Sequence, residues 1–169
     1  MAASSDLGKI LQCSRLLERS VAEAYEHIAQ FVGDKIIGGL LRYVARDSFK
    51  HAECFGLMAE LFSQDIGVCA EDCVKIWGES WLATVKDAKK ICEKAEIGPA
   101  DLKSLINGLE RIEGLAAEEY LTILHAKLIE WMAESENANL ALLRTVLNWI
   151  VEDEERHKKI LKIIGDLLP

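Results

Sequence analysis

Proline is nearly missing: two residues in 169, Pro99 and Pro169. Ala, Leu, Ile, Glu and Lys dominate instead, a composition that favours helix. No segment alternates apolar and polar residues over a useful strand length, which argues against a sheet. No apolar run approaches the roughly 20 residues needed to span a bilayer. The N-terminus also lacks a basic stretch followed by an apolar one, so the chain is expected to be soluble and cytoplasmic, with no membrane partner. Positive charge is short as well: 20 Lys and Arg face 28 Asp and Glu, for a net charge of -8. With no basic stripe to neutralise phosphates, nucleic acid is not an expected partner. The five cysteines form no CxxC pair. Cys69 and Cys73 lie four apart and would share a helix face, open to a zinc or redox role. The preferred reading of all five is as small buried hydrophobes, and a hyperthermophile source would admit an intracellular disulfide.

Half the residues are apolar and 28% are charged, a globular profile for one domain over residues 1–169 with a continuous core. Apolar spacing and breakers predict five helical stretches. The first runs from about Ser5 to Val32, where Gly33 stops it. Asp34 caps the second, which continues to about Phe62. A shorter third covers Glu71 to Ala95, with Trp77, Trp81, Val85 and Ile91 as its spaced apolar residues. Gly98-Pro99 opens a fourth, to about Glu134, with proline suited to its first turn. The last runs from about Asn139 to Leu167. Two long helices, a crossover of nearly forty residues holding one short helix, and two more long helices make an all-α chain.

An internal echo runs through the four long stretches. At an offset of 95, Glu18 falls on Glu113, Ala22 on Ala117, Glu23 on Glu118, Tyr25 on Tyr120 and Ile28 on Ile123. At an offset of 106, Val44 falls on Ile150, Asp47 on Asp153, Ser48 on Glu154, Lys50 on Arg156 and His51 on His157. Seven residues is close to two helical turns, so Glu18 shares a face with Tyr25, and Glu113 with Tyr120. Glu154 and His157, three apart, point into the same space. These acids and imidazoles lie in stripes that also carry Leu11, Leu121, Leu147 and Leu161. A carboxylate on a core-facing stripe is costly unless paired or bound to a cation. Several converging acids would repel one another, and a metal ion is the simplest compensation. Imidazole with carboxylate suits iron, manganese or zinc.

On these residues the chain resembles the ferritin-like di-iron carboxylate proteins, bacterioferritins and rubrerythrins above all. That family carries one Glu from each of two helices and a Glu-x-x-His from each of the other two. Glu18 and Glu113 match the single glutamates, Glu154 with His157 matches one Glu-x-x-His, and His51 matches the second histidine. The resemblance covers most of the chain. It implies an antiparallel four-helix bundle with an extra short helix in its long crossover. It also implies metal ligation by Glu18, His51, Glu113, Glu154 and His157, with iron as the expected metal, as two ions or one. The implied activity is a non-haem iron oxidoreductase that reduces peroxide or oxygen, or oxidises ferrous iron. No rubredoxin-like CxxC pairs accompany the bundle, so electrons would come from a separate donor protein. No fifth helix follows before Pro169, which speaks against a large cage.

Ser48 departs from the pattern, standing where the family has a bridging glutamate. Serine is short and neutral, so a second ion would be weakly held, missing, or completed by water or Glu23. Asp47 and Asp153 precede the Ser/Glu position by one residue, about 100° around the helix. By resemblance to bacterioferritin-like proteins, Asp47 would orient His157 and Asp153 would orient His51, fixing tautomers and strengthening the ligands.

The competing reading is a metal-free bundle with a lapsed site, acting as a binding or scaffold protein, with a homodimer through exposed tryptophans. Around the cluster the expectations are plain. Tyr25 and Tyr120 pack in the core, Glu23 and Glu118 lie on the flank, and His27 and His125 are exposed. Trp77, Trp81, Trp131 and Trp149 pack internally. Glu152 and Glu155 form a solvated face, where Lys158 and Lys159 partner Glu155.

Overall fold

A computed structural model describes residues 2–62, 67–98, 100–110, 112, 124 and 139–168, the side chains of 2–5, 139 and 140 excepted. Every regular element among the described residues is a helix, and none of them is long and apolar enough to cross a membrane. The elements are α1 (Ala2–Phe31), α2 (Lys35–Glu60), α3 (Ala70–Trp77), α4 (Glu79–Cys92), α5 (described over 100–110) and α6 (Asn139–Leu167).

α1 and α2 make a hairpin because the chain between them is only three residues long and ends on an effective cap. Asp34 Oδ1 accepts from the backbone N–H of Ile36 at 2.8 Å and of Ile37 at 3.0 Å, satisfying two of the donors a helix start leaves unpaired. The antiparallel register follows from the turn. Arg42 donates to the Ala29 carbonyl near the turn at 3.1 Å, and farther along the hairpin Glu18 comes opposite His51. A Cβ on Gly56 would stand 3.2 Å from the Arg15 side chain, so the two helices lie close at this level. α6 runs antiparallel to α2. Lys50 and His51 meet Asp153, while Asp47 meets His157. The apolar stripes of all these helices join one core, with Tyr25, Phe55, Leu11, Leu41, Leu147 and Leu161 among its fully buried members.

The crossover differs from expectation in two ways. The single helix predicted over Glu71 to Ala95 is two helices, α3 and α4, broken at Gly78. Its φ of 77° lies in the left-handed region that glycine alone enters without strain, and its N–H closes α3 on the Val74 carbonyl at 2.8 Å. The cysteines also differ: Cys13 and Cys73, both fully buried, form a disulfide between α1 and α3. Cys69 does not act with Cys73. It is exposed and caps α3, its backbone N–H donating to Asp72 at 3.2 Å. The crossover is further pinned where the Trp81 indole donates to the Cys13 carbonyl at 3.0 Å and where Lys9 approaches Asp72 at 3.7 Å. Trp77 and Trp81 pack internally as expected, but Trp149 is 58% exposed. His27 is half-buried rather than exposed, its Nε2 donating to the Lys94 carbonyl at 2.9 Å across from the end of the crossover.

Candidate metal centre

Glu18 from α1, His51 from α2 and Glu154 from α6 converge, with one ligand-type atom of each within 4.8 Å of the other two. All three are buried, His51 completely. His51 Nδ1 lies 2.8 Å from Glu154 Oε1 and 3.7 Å from Glu18 Oε2. The close approach to Glu154 is not aligned as a regular hydrogen bond, and Glu18 stands too far for one. Buried polar atoms in folded proteins nearly always find a partner. A buried imidazole nitrogen beside two carboxylates from other helices has the arrangement of groups gathered about a common point. Ser48, one turn before His51 and also buried, has an Oγ with no hydrogen-bond partner among the described residues.

The other ring nitrogen of each histidine is held. His51 Nε2 donates to Asp153 Oδ2 at 3.1 Å and His157 Nε2 to Asp47 Oδ2 at 3.3 Å. This crossed pairing is the one the resemblance implies. His157 Nδ1 is thereby turned towards Glu154, 3.6 Å from Oε2, and the two imidazoles stack with centroids 5.7 Å apart. Around this pair lies a charged layer that the sequence did not disclose. Lys50 Nζ donates to Asp47 at 2.9 Å and to Asp153 at 2.8 Å, bridging the two helices. Arg156 adds a short contact to Asp153 and reaches the Tyr43 hydroxyl. A lysine at a surface position of a helix has no spacing signal that would announce such a bridge.

Electrostatics follow from this arrangement. Burial alone would lower the His51 pKa, but the adjoining carboxylates of Glu154 and Glu18 outweigh it and push it up to about 11. Burial would raise the Asp153 carboxyl, but Lys50, His51 and Arg156 hold it well below the usual carboxylate range. Asp47 is likewise lowered, its burial outweighed by Lys50 and His157. The cluster thus demands positive charge at its centre, which a proton on His51 or a metal cation can provide.

The remaining sequence-based expectations divide plainly. Tyr25, two turns from Glu18, is fully buried. Glu23 is exposed and paired with Arg19 at 3.1 Å, so it does not complete the cluster. Glu152 and Glu155 are exposed. Glu113, together with Ala117, Glu118, Tyr120, His125 and Trp131, lies outside the described residues. The chain matches no family model, no curated protein and no solved structure.

Proposed function

We propose that the chain is a ferritin-like metal protein whose cluster binds iron. The observation that carries this reading is His51 Nδ1, wholly buried, 2.8 Å from Glu154 and 3.7 Å from Glu18, while Asp153 secures the opposite nitrogen. Glu18, His51 and Glu154 would hold the ion, with His157 beside Glu154 and Glu113 completing the set. The α1–α2 hairpin and the antiparallel α2–α6 pair support a four-helix bundle whose remaining member is the stretch following Pro99. The donors also suit manganese or zinc, and iron is preferred for the resemblance.

Bound there, iron would supply the electron chemistry for reducing peroxide or oxygen, or would itself arrive as ferrous substrate. The chain's own contributions are more specific. Glu18 and Glu154 bring anionic oxygens into an apolar interior, where their charge is little screened. Asp153 and Asp47 keep the Nε2 protons of His51 and His157, so that Nδ1 is the nitrogen turned inward. Ser48 leaves the second histidine without its own carboxylate, which makes the two halves unequal and favours one tightly held ion over two. A separate protein would deliver electrons. The cytoplasmic setting belongs to this proposal.

A second reading has one observation in its favour: His51 lies 2.8 Å from Glu154, so a proton on its ring would offset the acids in part without any metal, as a scaffold protein with a lapsed site requires. Elemental analysis of protein purified without chelator separates the two. Near-stoichiometric metal that disappears in Glu154→Ala is the expected result. No metal after loading with iron and with manganese would establish the metal-free bundle instead.

A further inference from the structure

Eight large apolar side chains on α2, at its C-cap Leu61 and on α6 stand between 43% and 72% exposed. They obey the same offset of 106 that relates the two helices internally: Ile36 falls on Leu142, Tyr43 on Trp149, Leu57 on Ile163 and Leu61 on Leu167. Lys50 falls on Arg156 at the centre of the series. Counting Lys50 and Arg156, the seam repeats every seven residues from 36 to 57 and from 142 to 163, then takes a final step of four to Leu61 and Leu167, a stripe along one face. Since α2 and α6 are antiparallel neighbours, the two stripes make one surface with approximate twofold symmetry. Its outer margins carry exposed Arg46 and Glu53 on α2, and Glu152 and Lys159 on α6. Each pair has opposite signs two turns apart.

We propose that this surface is where a second copy of the chain docks, as an isologous dimer. Three features favour a copy over another occupant. At roughly 100 Å² for each exposed side chain, the eight offer on the order of 800 Å², the area each partner of a standard interface buries. Isologous contact requires a surface complementary to itself, and a patch that already repeats under a twofold meets that requirement readily. Charge agrees as well. The central Lys50 and Arg156 are already paired with Asp47 and Asp153, so burying the seam strands no charge. At the margin, an antiparallel approach of α2 to the partner's α2 sets Arg46 against Glu53 of the other copy. The dimer does not depend on whether the cluster takes a metal, and it would shelter the ion pairs that hold both aspartates.

The test is solution mass by light scattering and sedimentation, on wild type and on Leu57→Asp/Trp149→Asp. Wild type is expected at twice the chain mass and the double variant at the chain mass, with unchanged helical circular dichroism. Ile163→Glu, a milder change on the same face, should raise the dissociation constant at least tenfold. Leu16→Asp, on an exposed apolar residue of α1 away from this face, should leave the dimer intact. A monomeric wild type at its highest soluble concentration overturns the proposal. So does a dimer that survives both changes on the face, or one that only Leu16→Asp dissociates.

Discussion

His51 and Asp153 are joined across the α2–α6 interface by a hydrogen bond of 3.1 Å, and Asp153 is the one carboxylate of the cluster's outer layer held by three cationic partners. Lys50 and Arg156 fix it from outside while the imidazole meets it from inside. Replacing it with asparagine keeps the shape but removes the charge that sets the ring's tautomer. Asp153→Asn should weaken metal binding by about 10–100-fold, read by competition with a chromophoric chelator, with helix content unchanged. Undiminished affinity would detach Asp153 from the metal.

Ser48→Glu should restore the missing half of the repeat. Metal per chain, counted by elemental analysis after iron loading, is expected to rise towards two ions or to be held more tightly against chelator. Unchanged occupancy and affinity would count against the register that sets residue 48 on residue 154.

Without metal, stability should depend on pH in a defined direction. His51 has its folded pKa raised from 6.5 to about 11, so its contribution is complete below pH 6.5 and is lost progressively as pH climbs towards 11. Asp47 and Asp153 have folded values below the ordinary 3.8. Their contribution is therefore present above that value and is lost as pH falls below it. Denaturant midpoints of metal-free protein should peak between about pH 4 and 6.5. A midpoint rising from pH 7 to 10 would contradict the protonated His51.

Metal binding must displace the same proton. Titration calorimetry near pH 7.5 in buffers of different ionisation enthalpy should show about one proton released per ion, and affinity should increase with pH. No proton release would mean that His51 is not a ligand.

The disulfide spans 60 residues, a loop whose closure removes on the order of 4 kcal/mol of chain entropy from the unfolded state. Cys13→Ser/Cys73→Ser should lower unfolding free energy by about that amount, measured by denaturant titration. Metal stoichiometry should be unaffected, because neither cysteine belongs to the cluster.

Much of the cluster was legible because it violates a rule: acids and imidazoles stand in stripes otherwise made of leucine, and they repeat. Asp34 announced the start of α2 because a short acid before an apolar run has one efficient use, capping. Gly78 hid its break, since the apolar spacing of Trp77, Trp81 and Val85 continues through it and an interior glycine is often tolerated. The Cys13–Cys73 bond left no trace in spacing, because its partners meet only after the crossover folds back on α1. The exposure of Trp149 was equally hidden. A large aromatic on a helix reads as core until a neighbouring helix is known to leave that side bare.

The covalent tie also divides the molecule unevenly. Cys13 and Cys73 lace α1, α2 and α3 into one closed loop, which contains Glu18, Asp47 and His51. α6 stands outside it and brings Asp153, Glu154 and His157 by noncovalent contact alone. Separating α6 from the laced hairpin would therefore part the cluster into two carboxylate–imidazole fragments, Glu18 with His51 and Glu154 with His157.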